Sequence, residues 1–188
     1  MMKKKAKLLT KVSIDEKVEK INEILENDYT KYALRLLVKS GVYKYIDSLS
    51  RGLCRIANKY RRISFEELLL ISFVLNKQID EQYNSYIENI ETFKRIYNLA
   101  LSNPKAKYDA LTLFTNGLDV CLEANFINYI LGKSRLKTKA IKKAYDSLLI
   151  KKKSDLKFKY EDVMRISEIN DAKVIASITD EVCVEILN

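Results

Sequence analysis

The chain has 188 residues, a formal net charge of +9 and 47% apolar residues, and it contains no histidine and no tryptophan. This length fits one domain with a small appendage, and the apolar content argues against a disordered basic tail. Without histidine, Ser-His and Cys-His nucleophile pairs and histidine-bound metals are excluded, so the composition favours a binding protein over an enzyme.

Helical signals fill the first sixty residues. Ser13 and Glu16 form a capping box that opens a first helix, which ends near Asn27. A second helix begins at Asp28 and stops at Gly41, where a left-handed residue can end it. A third helix follows almost at once. Its apolar face consists of Ile46, Leu49, Leu53, Ile56 and Tyr60.

The middle of the chain is also predicted to be helical. A second capping box, Ser64 with Glu67, precedes the apolar run 68–75, which is far shorter than the roughly 20 residues of a membrane span. We therefore expect a buried core helix there. A longer amphipathic stretch follows and ends at Asn103 and Pro104, because the residue before proline avoids helical geometry.

Two further helical segments are predicted after the proline. Residues 106–131 form one helix or two, with Gly117 as the joint and Gly132 as the stop. Residues 134–149 form the next helix. Its apolar side is assigned to Leu136, Ala140, Ala144 and Leu148.

After Lys153 the hydrophobic pattern changes to a period of two, over residues 156–160 and again over 182–186. Residues 173–179 are rich enough in β-branched side chains to pair with the second run. The fold class is therefore predicted as mainly α, a helical bundle with a small C-terminal antiparallel β portion. A final helix over 160–168 is the alternative. The predicted organisation is a flexible basic N-terminus (1–12), the bundle (13–152) and the β-rich portion (153–188).

Cysteine spacing and the N-terminus bear on the cellular environment. Cys54, Cys121 and Cys183 form no CxxC pair, so they are interpreted as small buried hydrophobic residues rather than metal ligands or disulfide partners. Lysines near the N-terminus are followed by too few apolar residues for a signal peptide. We expect a cytoplasmic protein without a membrane span, a metal, a cofactor or a catalytic residue.

Positive charge is unevenly distributed along the chain. Residues 13–132 carry 16 basic and 16 acidic residues, whereas residues 133–159 carry 11 basic and two acidic ones. Such a concentration of cations is typical of a surface that contacts phosphates. The alternative is an ordinary solvated face. The candidate nucleic-acid-binding residues of this stretch are Lys133, Arg135, Lys137, Lys139, Lys142, Lys143, Lys151, Lys152 and Lys153.

A smaller basic cluster ends the predicted third helix. Cations at the C-terminal end of a helix also interact favourably with its dipole, so a structural role is the alternative here. The members of this cluster are Arg55, Lys59, Arg61 and Arg62.

The 12 tyrosines could provide surfaces on which bases stack. Those on apolar helix faces are expected to fill the core or grooves: Tyr32, Tyr83, Tyr86, Tyr97 and Tyr129. Those that lie among cations are the better candidates for stacking: Tyr43, Tyr45 and Tyr60.

Residues 34–53 carry a family resemblance. A hydrophobic pair, Leu36 and Leu37, is followed by the run Ser-Gly-Val-Tyr-Lys-Tyr-Ile-Asp-Ser-Leu at 40–49. This segment resembles the Ser-Gly-x-Tyr-x-Tyr-(Val/Ile)-Asp-x-Leu segment of the small-subunit family of archaeal type I-A CRISPR interference complexes. The helical small subunits of type III complexes are the nearest competing family. The matching positions are Ser40, Gly41, Tyr43, Tyr45, Asp47 and Leu49, which we assign to fold or subunit contacts.

The resemblance implies a non-enzymatic antiviral-defence subunit with a helical fold. Its partners would be the CRISPR backbone and large subunits, the crRNA and the target DNA, and it could self-associate. Such a subunit supports nucleic acid through cations while base pairing reads the sequence. The alternatives are a stand-alone helical nucleic-acid binder of the viral, plasmid-regulator or nucleoid type, and a protein-interaction module. An enzyme with a Mg²⁺ site at Asp119 and Glu123 is the last alternative.

Overall fold

The computed structural model describes residues 7–59 and 62–151, together with residues 155, 164–165, 171, 173–175, 177–178 and 182. The chain divides into two compact units. Unit 1 comprises residues 1–106 and 124–135, and unit 2 comprises residues 107–123 and 136–188. In the described part of both units, every regular element is a helix, which confirms the mainly α class.

The described residues of unit 1 form five complete α-helices. They are α1 (Ile14–Glu26), α2 (Thr30–Lys39), α3 (Ser50–Lys59), α4 (Phe65–Asn76) and α5 (Ile90–Ser102). Four 3₁₀ segments accompany them, at Lys7–Lys11, Val42–Tyr45, Asp47–Leu49 and Glu81–Tyr86. Of the basic N-terminus, residues 1–6 lie outside the described part of the chain.

Local sequence signals explain where these helices begin and end. Ser13 caps α1 by accepting a hydrogen bond from the Glu16 N–H, and Ser64 forms a complete capping box with Glu67 at the start of α4. Gly41 has a φ of 75°, which ends α2 in the left-handed conformation that glycine adopts without steric cost. The predicted capping box at Ser64 and the predicted stop at Gly41 are confirmed, and Ser13 is confirmed as a cap through its bond from the Glu16 N–H.

Helix α4 is the centre of unit 1. Its residues 68–74 are all buried, as predicted, and it packs against α3, α5 and the Asp47–Leu49 turn. The Phe73 ring lies 6.1 Å from Tyr83 and 6.0 Å from Phe93, measured between centroids. Helix α3 approaches α4 closely at Gly52, where a Cβ atom would lie 2.0 Å from Ser72 Oγ.

Three more helices are described from end to end: α6 (Ala110–Asn116), α7 (Leu118–Ile130) and α8 (Thr138–Asp146). Gly117, with φ 78°, separates α6 from α7, so the predicted joint is confirmed. Helix α7 contributes residues 118–123 to unit 2 and 124–130 to unit 1.

The described core of unit 2 is small. Helices α6 and α8 contact each other. The buried apolar residues are Leu113, Phe114, Val120, Cys121, Ile141 and Ile175.

The end of α7 is held by buried polar groups of unit 1. The Ser134 hydroxyl donates to Asn125 Oδ1 over 2.7 Å, and the backbone N–H groups of Lys133 and Ser134 donate to the Asn128 carbonyl at 2.8 and 3.1 Å. Because buried polar groups are costly when unpaired, these bonds define the conformation of the turn at 131–134.

The prediction of a C-terminal antiparallel β portion is wrong. Residues 164–165, 173–175, 177–178 and 182 are α-helical where they are described. The Ile175 N–H donates to the Asp171 carbonyl over 3.0 Å, and the Asp171 carboxylate accepts from the N–H groups of Lys173 and Val174. Asp171 thus caps a helical turn. This cap outweighs the strand propensity of the β-branched residues that follow it. The run 156–160 lies outside the described residues.

Several smaller predictions also have outcomes. Tyr83 and Tyr97 are buried as expected, whereas Tyr32 and Tyr129 are exposed, so their assignment to the core is wrong. Cys121 is buried and Cys54 half-buried, and Cys183 lies outside the described residues. Within the described ranges, no helix has the length and apolarity needed to cross a membrane.

Asp109 is the N-cap residue of α6, and its hydrogen bonds lower the pKa of its carboxylate. Hydrogen bonds from the side chain and then the backbone N–H of Thr112 lower the pKa of Asp109. A lowered folded-state pKa contributes stability above the ordinary carboxyl value, and this contribution is lost as the pH falls through the folded value. We expect Asp109→Ala to cost about 1 kcal/mol at neutral pH.

In urea unfolding, this difference from wild type should shrink as the pH falls below about 4. Asp109→Asn, which keeps the acceptor without the charge, should retain most of the stability and lose the pH dependence. An Asp109→Ala cost that is the same in acid and at neutral pH would contradict this role for the carboxylate.

Candidate nucleic-acid interface

Helix α8 has an apolar and a basic side. Ile141 is buried, and Ala144 and Tyr145, three and four residues later, are half-buried. Lys139, Lys142 and Lys143 have the same spacing and therefore share the other side of the helix. All three are exposed, and we call them the lysine face of α8.

The carboxylates of the described residues leave the lysine face without ion pairs. Among the residues that the structure describes, no carboxylate forms an ion pair with these three ammonium groups. Asp146, the one acidic residue of α8, is exposed. Like charges four residues apart, such as Lys139 and Lys143, destabilise a helix by roughly 0.2–0.5 kcal/mol. An external polyanion would relieve this repulsion.

Both ends of α8 add positive charge in unit 2. Lys137 occupies the N-cap position without a side-chain cap, and the first turn holds no acidic residue. At the other end, the Lys151 ammonium lies 5.7 Å from the centroid of the Tyr145 ring, a cation–π distance. Lys152 and Lys153 lie outside the described residues.

Lys133 and Arg135 belong to unit 1. Both side chains are exposed, and they flank Ser134, which is buried and hydrogen-bonded to Asn125. The polar contacts at the end of α7 therefore fix the backbone that carries these two cations.

Two side chains of the second basic cluster, Arg55 and Arg62, belong to the described part of the chain. Arg55 is half-buried, and its Nε donates to the Ile130 carbonyl over 2.9 Å, so it binds a carbonyl at the end of α7 within unit 1. Arg62 is exposed. Arg61, Tyr60 and the side chain of Lys59 lie outside the described part of the chain. The contact of Arg55 favours a structural role for that residue.

The residues of the 40–49 segment have roles within the fold of unit 1. Ser40 Oγ donates to the Leu37 carbonyl beside Gly41, and Leu49 is fully buried. Asp47 pairs with Lys17 of α1 over 2.8 Å and adopts a φ of 36°. Tyr43 and Tyr45 are half-buried. These contacts join α1 to the connection between α2 and α3.

The candidate metal pair at Asp119 and Glu123 lies at the start of α7, in unit 2. Asp119 is exposed and Glu123 is half-buried. Within the described ranges, no group of three or more Cys, Asp or Glu side chains is arranged to hold a metal ion.

Sequence reasoning missed the anchor of the lysine face. It assigned the apolar side of α8 to Leu136, Ala140, Ala144 and Leu148, but Leu136 and Ala140 are exposed and Leu136 precedes the helix. The buried residue is Ile141. Its spacing to Ala144 and Tyr145 was the signal that could have identified it.

Comparisons with known proteins give one match. A family model described as tRNA nucleotidyltransferase domain 2, putative, matches residues 68–188, which is more than half of the chain and includes all of α8. No curated protein and no solved structure matches the chain. The segment 34–53 lies outside the matched range.

Proposed function

The chain belongs to the family described as putative domain 2 of tRNA nucleotidyltransferase, and from this premise we propose that it binds RNA of the tRNA type. In this proposal the chain acts as a non-catalytic helical module, and the lysine face of α8 contacts RNA phosphates. The family supports a nucleic-acid-related function, and we extend it to RNA binding without catalysis.

The observation that carries the proposal is the exposed lysine face, which lies within the family-matched range and forms no ion pair with a described carboxylate. Lys139, Lys142 and Lys143 project from the side opposite the buried Ile141, so they can reach a ligand without disturbing the core. Neutralising phosphates with lysines releases counterions, which makes binding depend steeply on salt. Such a surface contacts the phosphate backbone and is insensitive to base sequence.

The test measures the affinity of the full chain for a tRNA transcript across a salt series. Replacing Lys139, Lys142 and Lys143 by glutamine should weaken binding and reduce the slope of log affinity against log salt by about 2–3 units, one contact for each lysine. A matched control replaces Lys77, Lys94 and Lys105, three exposed lysines of unit 1, with the same loss of charge.

The control variant should keep most of the wild-type slope. Equal slopes for the two triple variants would show that total charge, and not the lysine face, determines binding. Tighter binding to duplex DNA than to the tRNA transcript would favour the stand-alone DNA binder instead.

A second candidate function is the small subunit of a CRISPR interference complex, favoured by the segment 34–53. The family match lies on a different part of the chain, so the two candidate functions rest on separate segments. Sequencing the nucleic acid that co-purifies with the full chain separates the two functions. Enrichment of tRNA supports the first, whereas crRNA accompanied by CRISPR backbone subunits supports the second.

A further inference from the structure

We infer that the outward side of α2 in unit 1 is a second nucleic-acid surface, which stacks unpaired bases on Tyr29 and Tyr32. This inference rests on the proposed function and specifies that the bound RNA includes a single-stranded segment. It concerns a part of the chain outside the family-matched range.

Exposure and spacing identify the surface. Tyr29 is 76% exposed, Tyr32 66% and Leu36 48%, although large apolar and aromatic side chains are usually buried in a helical unit. Their spacing of three and four residues puts them on one side of the helix, opposite the buried Leu34. We call Tyr29, Tyr32 and Leu36 the aromatic face of α2.

Charge indicates what the aromatic face binds. Helix α2 contains no acidic residue, and the exposed cations Arg35 and Lys39 lie beside the aromatic face at the same helical spacing. Exposed acids, Glu26 and Asp28, are confined to the turn before Tyr29. Aromatic rings next to cations are the combination that binds single strands, because rings stack on bases while cations contact the phosphates. A purely apolar protein partner would offer no groups that bind the two cations.

The backbone that carries Tyr29 is held in place. Its N–H donates to Asn27 Oδ1 over 2.8 Å, and the buried Thr30 hydroxyl hydrogen-bonds to the Leu25 and Asn27 carbonyls. Neither Tyr29 nor Tyr32 stacks on another aromatic ring within the described chain. The rings are therefore presented from an ordered backbone with their faces open, which reduces the entropy lost on binding.

The test compares two probes with the full chain, an unstructured oligouridylate and a duplex RNA of equal length. The double variant Tyr29→Ala and Tyr32→Ala should lose about 10- to 100-fold in affinity for the single strand and little for the duplex. The variant Tyr29→Phe and Tyr32→Phe, which keeps both rings, should bind the single strand like wild type. Matching melting curves verify that the exposed substitutions leave the fold intact.

The other outcomes separate this inference from the proposed function. If the alanine variant binds both probes like wild type while the lysine-face variant loses binding, the inference fails and the proposed function stands. If wild type binds neither probe, even at low salt, both fail. If wild type is a dimer in sedimentation and the alanine variant a monomer with unchanged RNA affinity, the aromatic face joins two copies of the chain and the inference is overturned.

Discussion

Replacing Ile141 by alanine should destabilise unit 2 by about 2–5 kcal/mol, although it removes no charge. Ile141 is 1% exposed and is the buried residue of α8, a helix without a side-chain cap at its N-terminus. The packing of this side chain therefore holds the lysine face in place. We expect Ile141→Ala to lower RNA affinity as well, because the three lysines lose their common orientation when α8 detaches.

Urea unfolding followed by circular dichroism and a parallel RNA titration measure the two effects. The matched control is Leu149→Ala, which removes an apolar side chain of similar size that is 90% exposed. That variant should unfold and bind within experimental error of wild type. Equal stability of the Ile141→Ala and Leu149→Ala variants would mean that α8 does not depend on this contact.

Gly52→Ala should destabilise unit 1 by about 2–3 kcal/mol, even though alanine is the better helix former. The added Cβ would lie 2.0 Å from Ser72 Oγ, 3.0 Å from Leu68 Cδ1 and 3.1 Å from Ser72 Cβ. Rotating the hydroxyl away would break its hydrogen bond to the Leu68 carbonyl and would leave the Cβ contact in place. Helices α3 and α4 must therefore move apart. The free-energy cost of this movement exceeds the roughly 1 kcal/mol that alanine gains over glycine in helix propensity.

A double-mutant cycle with Ser72→Ala tests this explanation. Removing the hydroxyl relieves the shortest contact, so the double variant should be less destabilised than the sum of the two single variants. The interaction free energy comes from the urea midpoints of the four proteins. Strict additivity would locate the cost of Gly52→Ala away from Ser72.

Local signals in the sequence predicted several helix ends. Ser13, Ser64, Gly41 and Gly117 act through hydrogen bonds or backbone angles within a few residues, so their effect can be identified without knowledge of the tertiary structure. The run 68–75 was equally clear, because apolar residues all round a helix require burial. These signals identified α1, α2, α4, α6 and α7.

The prediction of a C-terminal β portion failed because another local signal, a helix cap, was present in the same segment. β-Branched residues at 173–179 suggested a strand, but the Asp171 carboxylate accepts hydrogen bonds from the N–H groups of Lys173 and Val174 and starts a helical turn instead. Strand propensity depends on having a neighbouring strand to pair with, so it is weak evidence on its own. The aspartate was the more specific signal.

The candidate site could be predicted only in part. The concentration of lysines at 133–159 is a property of the sequence, whereas the role of Arg55 depends on Ile130, which is 75 residues away. Tyr32 illustrates the same limit. Its neighbours in sequence suggested a core position, but burial of Leu34 turns it towards solvent. Contacts between residues that are far apart in the sequence cannot be inferred from the spacing of residues along one helix.

The composition of α8 also has a cost for the unbound protein. A helix optimised for stability alone would begin with serine or aspartate and would place acidic residues among its lysines. Instead, Lys137 occupies the N-cap position, and Lys139, Lys142 and Lys143 repel one another along one side. Under the proposed function, RNA binding and stability therefore make opposite demands on α8 and its N-cap, and substitutions that stabilise the free protein at these positions would weaken its binding to polyanions.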